Sequence, residues 1–177
     1  MDLALLEHEG CEMEGFSPDT EVTSTRVKVR IPRYGFKGKT AERKGGGEVV
    51  TVWPDAAFSI KTRNYRQFFF LEVDNADRKP ERIFRRFLAY WQCVVVEREL
   101  LRKKRGVSGA FVLFLSPDEK RRTGLIEIAN RVPEIRRRRP GFWFLKQEDI
   151  SLENPGKMLR ETVALGLDGK PGFLTKL

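Results

Sequence analysis

A chain of 177 residues, 40% apolar and 33% charged, has the size and balance of one folded domain with a single core. Lys and Arg number 34 against 25 Asp and Glu, and the net +9 points to a polyanionic partner, nucleic acid or an acidic surface. No stretch approaches the roughly 18 consecutive apolar residues of a membrane span, and two cysteines with one histidine exclude a disulfide scaffold, a four-thiolate zinc site and a His-rich metal site.

Met1-Asp2-Leu3 lacks the basic n-region of a secretory signal, so a cytoplasmic protein with no membrane partner is expected. From Asp2 to Glu14, Leu3, Leu5, Leu6 and Met13 suggest a short amphipathic helix, closed by Gly15 and the turn signal Ser17-Pro18-Asp19. His8 and Cys11 lie in it, too near a fraying end to act as a thiol–imidazole pair. Val27, Val29 and Ile31 alternate with polar residues and predict a half-exposed strand. The Gly- and Lys-rich stretch 35–47, with Lys37, Lys39, Arg43 and Lys44, reads as a mobile basic loop. Its Gly45-Gly46-Gly47 is not followed by the Lys-Ser/Thr and helix start of a phosphate-binding loop.

Glu48 to Thr62 reads as strand interrupted by Pro54. Gln67 to Val73 is strand-biased and apolar on both faces, hence central. Asn75 or Asp77 can cap the next helix, with Pro80 in its first turn. Ile83, Phe84, Phe87, Leu88, Trp91, Val94 and Val95 then keep helical spacing to about Arg102, with Cys93 as a buried thiol and Gly106 as the stop. Ala110 to Leu115 is a buried strand, Pro117-Asp118 opens a helix to about Val132, and Gly141 to Leu145 is a further strand. The order of strands and helices is that of an α/β domain. The expected organisation is one unit over 1–177: a first helix, edge strand and basic loop in 1–47, a core in 48–150, and an appendage in 151–177.

Glu72 and Asp74 interrupt the apolar character of the central strand and, two residues apart, share one face. A lone buried carboxylate costs several kcal/mol unless a cation or hydrogen bonds compensate it. A hairpin turn centred between residues 63 and 64 places Asp55 opposite Glu72. Two or three carboxylates converging at a sheet edge describe a site for Mg²⁺ or Mn²⁺ with oxygen ligands. The alternative for Asp55 is a structural Pro-Asp turn, and for Asp74 a helix cap.

The chain resembles the replication-relaxation family, proteins of plasmids and other mobile elements within the PD-(D/E)XK nuclease superfamily. The resemblance rests on Trp53-Pro54-Asp55-Ala56, on Phe69-Phe70-Leu71-Glu72-Val73-Asp74, on Arg86-Phe87-Leu88-Ala89-Tyr90, on 111–116 and on 142–145 with Glu153-Asn154-Pro155. It implies a restriction-endonuclease-like core: a central mixed sheet built from a three-stranded meander, a crossing helix and further strands, flanked by helices. It also implies metal-assisted DNA hydrolysis, with Asp55 and Glu72 as the motif acids and Arg86 and Tyr90 as the (Gln or Lys)-x-x-x-Tyr element. The superfamily's lysine is here Asp74, which cannot stabilise phosphorane charge but can add a metal ligand. Lys79 or Arg86 would then contact the phosphate from the helix. Relatives usually carry a winged-helix segment, so a winged-helix partner or a homodimer is the corresponding expectation.

The basic residues expected to contact nucleic acid are Arg63 and Arg66 in the hairpin turn, Lys79, the run Arg102, Lys103, Lys104 and Arg105, and the run Arg136, Arg137, Arg138 and Arg139. Arg102 to Arg105 also complement a helix dipole, whereas four consecutive arginines repel each other and suit phosphate contacts or solvation. Three functions follow: a Mg²⁺-dependent DNA nuclease, a DNA-binding accessory protein without turnover, and a scaffold for an acidic protein partner.

Overall fold

The computed structural model describes residues 12–18, 26–37, 40–61, 64–150 and 164–172. The expectations resting on residues 1–11, on Lys39 and Arg63, and on 153–155 lie outside them. The protein is mixed α/β. A seven-stranded sheet runs in the order β1 (Glu12–Pro18), β4 (Ala56–Lys61), β5 (Arg66–Val73), β6 (Gly109–Ser116), β7 (Phe142–Lys146), β8 (Ala164–Leu165), β9 (Pro171–Gly172). β5, β6 and β7 are parallel, and the other neighbours are antiparallel. A separate two-stranded ribbon is made by β2 (Val27–Lys37) and β3 (Thr40–Val52). No helix among the described residues is long and apolar enough to cross a membrane.

The central strand lies where the apolar run predicts. Phe69 and Phe70 are fully buried on its two faces, each in a different apolar cluster. One cluster joins Phe68, Phe70, Phe114, Phe142 and Phe144 to helix α1 (Pro80–Trp91). Phe87 meets Phe114 edge-on with ring centroids 4.7 Å apart. On its other side α1 turns Phe84 to Tyr34 and Phe36 of the ribbon, with centroids 5.1 and 5.2 Å away. Helix α1 is thus enclosed between sheet and ribbon, which explains why six of its residues are buried.

Four local expectations are corrected. Residues 12–14 are not the end of a helix and 15–18 are not its closing turn: Glu12–Pro18 is an edge strand, with Glu12, Met13 and Glu14 paired to Lys61, Ile60 and Ser59 of β4. The stretch 35–47 is not a loop: Tyr34 to Lys37 pair with Thr40 to Arg43, and Phe36 and Ala41 pack on the core. The glycines that suggested a loop instead form a bulge. The register jumps between Pro32↔Gly47 and Arg33↔Lys44, and Gly46 takes a φ of +82°, open to glycine at little cost.

Neither Asn75 nor Asp77 caps α1. Pro80 holds Lys79 in an extended conformation (φ −64°, ψ 146°), which makes Lys79 the N-cap residue. The long helix to Arg102 is also broken. After α1 come a π turn (Gln92–Val96) and α2 (Arg98–Arg105). Three consecutive β-branched valines, Val94 to Val96, crowd an α-helical turn, and the wider turn lets Cys93, Val94 and Val95 all face the core. Gly106 ends α2 in the left-handed region at φ 62°, as its position predicts. Asp118 caps α3 (Glu119–Arg131) by accepting the Arg121 N–H at 2.7 Å, and α4 (Pro133–Arg137) follows.

Candidate functional site

The acids come together through strand register. Ala56 pairs with Leu71 and Ala57 with Phe70, and the Asp55 N–H donates to the Leu71 carbonyl at 3.0 Å, so Asp55 falls opposite Glu72. Asp55 leaves β4 just after Trp53-Pro54, and its Oδ2 accepts the Val73 N–H at 2.7 Å. Glu72 and Asp74 end the central strand on its α1 face and touch one small hollow. This is the carboxyl end of the parallel strands, where sites on open α/β sheets gather.

Each acid has its own partner. Glu72 is 2% exposed, ion-paired with Arg86, 3.8 Å from Arg78, and hydrogen-bonded by the Tyr90 hydroxyl. Arg86 and Tyr90, four residues apart on α1, present one face to it. Burial pushes the Glu72 carboxyl up to about 7, against the opposing pull of Arg86 and Tyr90, and nearby Asp55 adds to the rise. Burial likewise raises Tyr90, and the paired carboxylate raises Arg86 despite the guanidinium's burial. Asp74 is gripped by Arg121 of α3, which reaches Oδ2 with Nε and Oδ1 with Nη2, the latter at 3.1 Å.

The trio Asp55, Glu72 and Asp74 does not fit a divalent ion in this arrangement. Among the described residues, no group of three acid, His or Cys side chains is placed to hold a metal. Asp55 and Asp74 are engaged as described, and Glu72 is already ion-paired with the Arg86 guanidinium. The hollow touching both Glu72 and Asp74 is about 20 Å³, room for one water, whereas Mg²⁺ keeps several.

The larger opening lies on the other side of Arg86. A cleft of about 320 Å³ runs between the end of β3 and the solvent flank of α1, lined by Thr51, Trp53, Arg78, Arg82, Arg85 and Arg86 among others. Arg85 pairs with Glu48, and Arg86 also donates to the Trp53 carbonyl at 3.3 Å. Arg82 forms no ion pair among the described residues. Four guanidiniums against Glu48 and Glu72 leave the cleft net positive. At its lip Trp53 is 47% exposed, with the Arg26 guanidinium 3.4 Å over its ring.

The expected basic contacts lie elsewhere. Lys79 is exposed at the start of α1 and is not part of the cleft lining. Arg66 opens β5 at the end away from Glu72, about 20 Å along the strand, and donates to the Arg105 carbonyl at 3.4 Å. Arg105 sits 5.1 Å over the Phe68 ring, its pKa lowered by burial. Arg102 pairs with Glu99 at 3.2 Å, Lys103 is exposed, and the Lys104 side chain is outside the described residues. Arg136 and Arg137 close α4. Arg138 and Arg139 line, with Arg98, a second hollow of about 190 Å³ at the amino ends of β6 and β7.

Arg78, Arg82, Arg85 and Arg121 were missed as site residues. Arg82 and Arg85 had a legible signal, because with Arg86 they recur at helical spacing on one flank; Arg78, ahead of the helix, and Arg121 had none. Comparison with protein-family models, curated proteins and solved structures finds no match. The resemblance to the replication-relaxation family therefore rests on the motifs alone.

Proposed function

We propose that this domain binds nucleic acid, DNA in the first instance, in the cleft between β3 and α1. In this reading it is a cytoplasmic accessory protein of a plasmid or other mobile element, with a restriction-endonuclease-like core that no longer cleaves. The observation that carries the reading is the pairing of buried Glu72 with Arg86. The same helix flank turns Arg82 and Arg85 to an open cleft that Arg78, just before the helix, also lines. Guanidiniums in that setting bind phosphate by charge and by forked hydrogen bonds. The net charge of +9 supplies long-range attraction to a polyanion.

The test is DNA binding followed across a salt series. Affinity should fall steeply as salt rises, and Arg82→Gln should lower the slope of log K against log salt by about one. Binding indifferent to salt would remove the proposal.

One observation favours a second reading, Mg²⁺- or Mn²⁺-dependent phosphodiester hydrolysis: strand register sets Asp55 opposite Glu72, near enough for its charge to act on the Glu72 carboxyl. It requires Arg86 and Tyr90 to release Glu72 when the ion and substrate arrive. Cleavage that depends on Mn²⁺ and is abolished in both Asp55→Ala and Glu72→Ala would establish it. Binding without such cleavage leaves the first reading standing.

A further inference from the structure

We infer that the cleft takes a single-stranded or locally unpaired nucleotide, with its base stacked on Trp53 and its phosphates along the arginine flank of α1. The inference deepens the binding proposal above and rests on it. Trp53 is one of few large apolar side chains left exposed among the described residues, and it stands at the mouth of a cavity lined by four arginines. Packing does not explain it: it belongs to neither apolar cluster. The Arg26 guanidinium stands 3.4 Å over one face of its ring, which shows that the indole takes a planar cationic group, and a base can stack on the opposite face or in place of Arg26.

Size and geometry select the strand. A cavity of about 320 Å³ accepts one nucleotide and not the cross-section of a duplex. In a duplex the base faces are covered by their neighbours, and an indole at the surface would meet only sugar and phosphate. In a single strand the face is free, and stacking on an aromatic residue adds to affinity without reading sequence. Arg82 and Arg86 are four residues apart on α1, about 6 Å along its axis, so they can follow a backbone past the stacked base.

The experiment compares a short fluorescent oligothymidylate with a duplex of equal length, using the full chain, Trp53→Ala and Trp53→Phe. The single strand should bind at least about tenfold tighter than the duplex. Trp53→Ala should lose about tenfold on the single strand with an unchanged salt slope, while Trp53→Phe retains most of the affinity. Unlabelled oligothymidylate should also quench indole emission in the parent and not in Trp53→Phe, a readout that stands even if Trp53→Ala fails to fold. Equal or tighter duplex binding, or full single-strand affinity in a folded Trp53→Ala, would overturn the stacking inference and leave the binding proposal intact. No salt-sensitive binding of either probe would sink both.

Discussion

The two ends of the central strands carry arginine in different ways. At the carboxyl end, Arg86 and Arg121 are held by Glu72 and Asp74, and Arg85 by Glu48. At the amino end, Arg98, Arg138 and Arg139 border a hollow and form no ion pair among the described residues. The second group is the conspicuous one in the sequence, with a run of like charge, yet no acid among the described residues holds its guanidiniums. The first group is scattered through the chain and is brought to one place by helix periodicity and strand register. Buried acids give the scattered arginines a fixed geometry, and a fixed geometry is what a site requires.

Substitutions that remove a held cation should be the most damaging. Arg86→Met keeps the aliphatic stem but leaves Glu72 buried and unpaired. It should cost about 3 kcal/mol at about pH 8 in urea denaturation, and less at about pH 6, where Glu72 takes up a proton. Arg139→Met, at the exposed end, should stay within about 0.5 kcal/mol. Similar costs at the two positions would break the comparison.

The pH profile sharpens it. The folded-state pKa of Glu72, about 7, lies above its ordinary value of 4.5, so the folded protein binds this proton more tightly than the unfolded chain. That contribution to stability is fully present below about 4.5 and is lost as pH rises through about 7. Denaturation midpoints should therefore fall across this window, and Glu72→Gln should flatten the slope. A parent profile that climbs over the same range would show that Arg86 outweighs burial.

Asp74→Asn should cost about 2 kcal/mol through the weakened Arg121 fork, again measured by denaturation. The smallest effect should come from the far end in binding. Changing Arg138 and Arg139 together to Gln should alter affinity for a short single strand by no more than about twofold. About 20 Å of strand separates the two ends, well beyond the screening length at physiological salt. A larger loss than that of Arg82→Gln would relocate the interface to the second hollow.

Much of this architecture was legible in the chain because it is local. The Asp55–Glu72 juxtaposition follows from one turn position, since antiparallel register propagates residue by residue from the turn. Pro80 and Gly106 mark helix ends through their own backbone restrictions. The ribbon was hidden because Gly45 to Gly47 look like a loop until Tyr34 and Phe36 find Phe84, a contact about 50 residues away in sequence. The fate of the acids was hidden for the same reason. Asp74 and Arg121 are 47 residues apart, and no spacing rule connects a strand end to a helix that follows only after α1, α2 and β6. Glu72 and Asp74 were recognisable as anomalous carboxylates, but sequence could not choose between a metal and an arginine as the compensating charge.

The ribbon has a kinetic consequence. Phe84 fastens α1 to Tyr34 and Phe36, and the Tyr34 hydroxyl donates to both oxygens of Glu134 at 2.8 and 2.9 Å. The two walls of the arginine cleft therefore belong to one bolted frame, and an incoming strand meets a socket already shaped for it. With little ordering left to do, capture should proceed at the pace of charge-guided diffusion, with no slow closing step, and the tightness of the complex should be set by how long the strand stays.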